Sequence, residues 1–316
     1  MLSLTALSIA LIGAAVGPPP FRMQMDHEVV LDANGRLQPW TTYRHVITGS
    51  MTYIEKCPTV KTRFGDDPWF LVTSRLNEDG TFMRNQNNQG SNVYYAVETL
   101  RRYLPYSGDN NAIAPVRLLL DRVRKRNTPE KWAWANVPRT QDDTPDGNYS
   151  DNYTEPDKMC MVGIGYLRFA QLTGETEWVD AAKAIAKTVA AHIVPGDATH
   201  SPVPFRVKLK TGKILDDYSA DMVFCVIFFE EMAKLDIPEA ASYKALRDTL
   251  WQWVLDYPVK NNQWSGYYED VKSNHENLDQ HLPLETARYM LEHFDENPAY
   301  ATSIPQLIDW VRERFG

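Results

Sequence analysis

The stretch PDKMCMVGIGYLRFAQLTGETEWVDAAKAIAKTVAAHI, residues 156–193, holds two amphipathic helices and the turn between them. Apolar residues recur at helical spacing from Met159 to Leu172, and again from Trp178 to Ile193. Between them Thr173-Gly174-Glu175 breaks the period, and a glycine just past the last periodic residue is the usual helix stop. Pro156 opens the first helix, because its missing N–H lies where the helix has no partner for one. The spacing predicts a helix over 156–172, a short turn, and an antiparallel helix over 177–193.

The same grammar repeats outward. Tyr106-Ser107-Gly108-Asp109-Asn110 joins a helix over 91–104, capped by Ser91, to one over 111–126. Asp236-Ile237-Pro238 joins 220–235 to 240–257, and Glu296-Asn297-Pro298 joins 282–294 to 303–315. Within each hairpin the turn is short. Between hairpins the connection runs roughly 20–30 residues, longer than structureless loops usually are unless they carry function. Antiparallel pairs put their short turns at one end and their long connections at the other, so the long loops should meet on one face. Upstream, residues 21–65 show no sustained period. Val29 to Leu37 reads as strand–turn–strand around Asp32-Ala33-Asn34-Gly35, and 66–77 as a short helix capped by Asp66 or Asp67. Phe205 to Leu215 alternates in polarity and turns at Thr211-Gly212, a small β-hairpin inside a long loop. Gly163 and Gly165 sit within an apolar helix and read as close-packing positions.

The turns Leu172–Trp178 and Tyr106–Asp109 are versions of one another. Each follows a helix carrying aromatic and apolar residues: Tyr94, Tyr95 and Leu104 in one, Tyr166, Phe169 and Leu172 in the other. Over residues 90–316 this pattern resembles the hairpin turns of the six-hairpin glycosidase superfamily. The resemblance implies an all-α, helical-hairpin (α/α) toroid and a carbohydrate-active enzyme, since that superfamily includes glycoside hydrolases and related toroids occur in polysaccharide lyases and uronosyl epimerases. Four hairpins are legible where a closed toroid has six. The expectation is therefore an open or incomplete ring, one completed by irregular N-terminal helices, or one whose further chain followed Gly316.

Composition sets outer bounds. The 316 residues are 43% apolar and 23% charged, enough for a large core, and the formal net charge of −8 repels phosphate backbones. The basic run Arg122-Val123-Arg124-Lys125-Arg126 ends a helix, where cations complement its dipole, so no nucleic-acid partner is expected. Residues 1–17 form an apolar run ending in small residues and broken by Pro18-Pro19-Pro20. That run is shorter than the roughly 20 residues a membrane span needs. It has the length of a signal peptide, although no Lys or Arg precedes it. Residues 18–316 then form one domain, secreted or periplasmic, with no membrane span. Cys57, Cys160 and Cys225 lie far apart, without metal-ligand spacing. No phosphate-binding, dinucleotide-binding or zinc-protease motif occurs, so no cofactor or metal is expected.

The chemistry gathers in the long loops. Loop one (127–155) carries Trp132, Trp134, Asp151 and Glu155, with Asp157 just beyond it. Loop two (195–219) ends at Asp216 and Asp217, followed by Tyr218, Ser219 and Asp221. Loop three (258–281) carries Trp264, Tyr267, Tyr268, Glu269, Asp270, His275, Asp279 and His281. Sugars suit such a mixture: pyranose C–H faces pack on aromatic rings, and hydroxyls bond carboxylates and amides. Glycosidic cleavage takes two carboxyl groups, about 5–5.5 Å apart for retention and about 6.5–9.5 Å for inversion. The catalytic candidates are Glu269, Asp270, Asp157 and Asp217, and the sugar-binding candidates are Trp132, Trp134, Asp151, Trp264, Tyr267, Tyr268 and His281. Asp157, Asp217 and Asp221 read equally as helix caps, and the tryptophans as lids over the core. Two other readings stand beside the hydrolase acting on oligo- or polysaccharide. One is a lyase or uronosyl epimerase using Tyr267, Tyr268 or His281 with Arg206. The other is a non-catalytic helical-repeat module that binds sugar or protein.

Overall fold

The computed structural model describes residues 31–36, 43–62, 64–71, 77–78, 87–142, 153–265 and 279–316. Among them, one isolated helix, α1 (Tyr43–Glu55), precedes four helical hairpins. These are α2 (Gln89–Ser107) with α3 (Ile113–Arg124), α4 (Pro156–Thr173) with α5 (Glu177–Ala190), α6 (Val223–Ala233) with α7 (Ala240–Val254), and α8 (His281–Glu292) with α9 (Tyr300–Phe315). The four anticipated hairpins are thus present, with ends shifted by a few residues. The third outer helix departs most, because α7 runs on into a five-residue π turn, Leu255–Val259, that contains Pro258. Proline removes the N–H that the regular ladder needs there, and a π turn absorbs the slip.

The hairpins are ordered by how apolar their helices are. Helices α2, α4, α6 and α8 pack side by side, and each outer helix packs on its own inner partner. In α6, Val223 to Phe229 and Met232 are buried, and α4 is buried over most of its length. A helix apolar on every side belongs in the middle, and an amphipathic one belongs on the rim. Gly163 and Gly165 are close-packing positions, as expected. A Cβ at Gly163 would strike the Phe228 ring, and one at Gly165 would come within 2.7 Å of Val93 Cγ1. Gly108 and Gly174, at φ 69° and 76°, close the first two turns with the same bond, their N–H groups donating to Leu104 O and Ala170 O at 2.8 Å.

The short turns share one end of the molecule. There the inner helices are tied by a dense polar network. Tyr289 donates to Glu230 Oε2 at 2.5 Å, Arg247 Nη2 donates to Tyr289 Oη at 2.7 Å, and His293 Nε2 lies 3.0 Å from Glu230. At the other end the long connections are stitched by small strands. β3 (Asn87–Asn88) pairs with β4 (Gln141–Asp142), and β5 (Tyr153–Thr154) pairs with β6 (Arg206–Lys208), which pairs with β7 (Ile214–Asp216). The anticipated Thr-Gly hairpin is β6–β7. The strand it adds across loops, β5, was not legible, because two residues carry no period.

The N-terminal expectations fare worse. Helix α1 occupies a stretch read as periodless; among its residues whose burial is described, only Met51 is buried. The helix expected over 66–77 does not start at Asp66. Instead Thr59–Thr62 and Gly65–Pro68 form an antiparallel pair, followed by a short 3-10 turn at Trp69–Leu71. Asp67 accepts from Thr62 Oγ1 at 2.7 Å and from Arg122 at 2.6 Å, and so serves a tertiary contact instead of a cap. The Asp32 turn is present, with Asp32 Oδ1 accepting from the Asn34 and Arg36 amides. Residues 1–30, including the signal-like stretch, lie outside the described residues. Among those described, no helix is long and apolar enough to cross a membrane.

Candidate functional site

The long-loop end brings the first turns of the inner helices together, and their polar residues meet there. Lys158, in the first turn of α4, reaches sideways to two carboxylates. One is its neighbour Asp157; the other is Asp221, just before α6, at 2.8 Å from its Nζ. All three are at most 2% exposed. Isolated charges at that depth are costly, and they persist when paired. One cation faces two acids, so the cluster carries a surplus carboxyl. Asp157 Oδ1 and Asp221 Oδ1 are buried and have no hydrogen-bond donor among the described residues. Burial, followed by the Asp221 charge acting against the Lys158 attraction, raises the Asp157 carboxyl to about 7. Burial disfavours the Lys158 ammonium, but Asp157 and Asp221 outweigh it and keep the ammonium charged. Two acids thus compete for one cation, and the Asp157 carboxyl is the one raised.

The start of α8 closes the other side. Asp279 accepts the backbone N–H of His281, and the His281 ring stacks on Phe224 with centroids 6.1 Å apart. Burial holds the Asp279 carboxyl above, and the His281 imidazole below, their ordinary values. The charges of Glu285 and Lys158 act on His281, and those of Glu285, Asp221 and Lys158 act on the Tyr95 hydroxyl. Tyr95 is 44% exposed and presents an open aromatic ring at its rim. Arg288 donates to Glu285 at 2.6 Å and to Glu292 at 2.7 Å. On the α4 side, buried Glu155 accepts from Arg206 Nε at 3.1 Å. A Cβ at Gly90 in α2 would fall 2.6 Å from Lys158 Cβ, so α2 presses directly against the trio.

The anticipated residues divide. Asp157 and His281 belong to this cluster. Asp217 does not join it: its carboxylate is 57% exposed and lies 3.2 Å from His200 Nε2. Trp134 is a lid over the core. It is 1% exposed, stacks on His192 at 4.1 Å, and donates its backbone N–H to Leu209 O. Trp132 is half-buried beneath the Arg139 guanidinium at 5.0 Å. Trp264 is fully buried 6.5 Å from Trp310. Asp151, Tyr267, Tyr268, Glu269, Asp270 and His275 lie outside the described residues. From the sequence Asp279 and Glu285 read only as weak metal-ligand candidates with His275 and His281, and Lys158, Arg288 and Tyr95 do not stand out as site residues. Lys158 sat in plain view beside Asp157, and only its partner 63 positions away gives it meaning. Among the described residues, no group of three or more His, Cys, Asp and Glu is arranged to hold a metal ion.

No protein-family profile matches the chain, and no curated protein matches it. Solved structures do. A cellobiose 2-epimerase from Spirochaeta thermophila aligns with TM-score 0.55 at 14% identity, over 75% of this chain and 61% of its own. A D-mannose isomerase aligns with TM-score 0.52 at 11% identity, over 76% of this chain and 66% of its own. A GH76 α-mannanase from Bacteroides thetaiotaomicron aligns with TM-score 0.51 at 10% identity, over 70% of this chain and 56% of its own. The chain thus spans somewhat over half the length of the structures it resembles. At these identities the likeness is one of backbone, and it agrees with the hairpin order and the buried inner helices described above. The chain shares the helical-hairpin (α/α) fold of these structures over the part of them that it covers.

Proposed function

We propose that this chain is a carbohydrate-active enzyme whose sugar site is the long-loop end of the inner helices, and that it hydrolyses glycosidic bonds. The observation that carries this is the Asp157–Lys158–Asp221 trio. A surplus proton near neutral pH, buried where inner-helix first turns converge, is the kind of perturbed acid that sites hold and structural cores avoid. Asp157 and Asp221 both pair with one buried ammonium, so each is committed to Lys158 before any substrate arrives. In this reading the trio holds the proton and the field. The second carboxyl comes from loop three, with Glu269 and Asp270 as candidates, and Tyr95 stacks a sugar ring. The GH76 α-mannanase among the matched structures acts in this sense.

A second reading is favoured by His281, which burial keeps neutral beside Glu285. A neutral imidazole is a base for a sugar C–H proton, and two of the matched structures are a cellobiose 2-epimerase and a D-mannose isomerase. One experiment separates the readings. The purified protein is incubated in D2O with a panel of neutral and uronate oligosaccharides and followed by NMR. New reducing ends support hydrolysis. Deuterium entering C2 or C5 without chain cleavage supports epimerisation or isomerisation. Neither change with any sugar, together with no binding, overturns both.

A further inference from the structure

A groove of about 780 Å³ lies away from the trio, between the C-terminal end of α7 and the length of α9. That volume falls in the range of ligand sites. One wall holds two uncommon backbone features side by side. These are the π turn Leu255–Val259 and, just beyond it, Asn262 in the left-handed region at φ 53°. Both are costly for ordinary residues and gather at functional positions. The facing wall of α9 offers Ser303, Gln306, Tyr300 and the rim of Trp310, whose face carries the Arg314 guanidinium at 4.5 Å. The charges lining it balance, Lys260 and Arg314 against Asp309 and Glu313. Amides, hydroxyls and aromatic edges with no net charge suit an uncharged polyhydroxylated ligand better than an anion.

The wall of the groove is also tied through the backbone to the long-loop end. At its upper end Trp310 lies 6.5 Å from Trp264. The Trp264 carbonyl accepts from Asp279 N at 3.2 Å, and the next carbonyl, of Ser265, accepts from Ala220 N at 2.9 Å. Two successive residues, Trp264 and Ser265, thus link the groove's wall to Asp279 and to the segment carrying Asp221. We infer that this groove is a second, non-catalytic subsite that holds a neutral polysaccharide segment whose other end lies in the long-loop site.

The inference rests on the carbohydrate reading, and the test separates the two. Dissociation constants are measured by calorimetry for cello-, manno- and malto-hexaose, for the corresponding disaccharides, and for a hexauronate. The proteins are the wild type and the groove-filling variants Ser303→Trp and Gln306→Trp, both changed on the accessible side of α9. The wild type should bind one neutral hexaose at least about tenfold more tightly than its disaccharide. Both variants should lose that preference while handling the disaccharide unchanged. A preference that survives both substitutions overturns the inference, as does tightest binding to the hexauronate. So does self-association, seen by sedimentation, that the variants abolish. Disaccharide binding with no chain-length preference overturns the groove alone, whereas no binding of any sugar overturns the groove and the carbohydrate reading together.

Discussion

Two polar clusters, one half-buried and one fully buried, sit at opposite ends of the inner helices, and they are built on opposite principles. At the short-turn end Glu230 is surrounded by Tyr289, His293, Lys234 and, through Tyr289, Arg247. Burial alone would raise its carboxyl, but these partners bring it down to about 2. At the long-loop end two acids divide one lysine, and the carboxyl of Asp157 goes up to about 7. The first cluster has more donors than its acid needs. The second has more acids than its cation can serve, and Asp157 Oδ1, Asp221 Oδ1, Asp279 Oδ2 and Ser265 Oγ are buried without a hydrogen-bond partner among the described residues. A network that only joins helices is expected to satisfy its groups. At the long-loop end the competition for one cation shows in the raised Asp157 carboxyl.

The comparison breaks most sharply at Lys158. Lys158→Met leaves two carboxyls buried without their cation and should cost about 3–5 kcal/mol in denaturant unfolding. A loss below about 1 kcal/mol would mean that the acids are already neutral and that the trio is not ionic. Next comes Gly90→Ala, whose methyl meets the Lys158 Cβ and carbonyl at 2.6 and 2.7 Å. Overpacking of this kind costs about 1–3 kcal/mol, and it should lower sugar turnover beyond what the lost stability explains. At the other end Glu230→Gln should cost about 1–2 kcal/mol and leave turnover alone. An equal loss of turnover there would erase the distinction between the ends.

The pH dependence sharpens the contrast because the signs differ. Asp157 titrates higher in the folded protein than its ordinary 3.8, so its contribution is complete at low pH and is lost as pH rises toward about 7. Glu230 titrates lower than its ordinary 4.5, so its contribution is present above that value and is lost as pH falls toward about 2. Unfolding free energies from pH 4 to 8 should therefore slope downward in the wild type and flatten in Asp157→Asn, while Glu230→Gln should keep the slope. An Asp157→Asn protein with the wild-type slope would place the titrating proton elsewhere. The smallest effect on stability is expected at Tyr95. Being exposed, Tyr95→Ala should move unfolding by no more than about 0.5 kcal/mol while weakening sugar affinity, and unchanged affinity would remove it from the site.

The hairpins were readable because helix period, glycine stops and turn length are local properties. Residues 156–193 alone contain the whole unit, down to Gly174 taking the left-handed conformation after Thr173. The glycines Gly163 and Gly165 were readable as packing positions, since an apolar helix offers glycine little else to do. Even the uneven loop lengths correctly implied that the long connections share an end. The strand pairs were not readable, because two-residue strands have no periodicity and exist only where loops cross. Nor was the fate of the tryptophans, since a sugar platform and a core lid have the same composition, and Trp134 became a lid when the β6–β7 hairpin and His192 closed over it.

By itself, then, the sequence determined the helical-hairpin architecture and which loops hold the polar and aromatic chemistry, because those follow from spacing and residue type along the chain. Only the tertiary structure decided which acids matter to one another. Asp157 beside Lys158 looks like an ordinary ion pair in a helix's first turn. It becomes a raised acid when Asp221, from another hairpin, claims the same ammonium and burial removes the water that would have screened them.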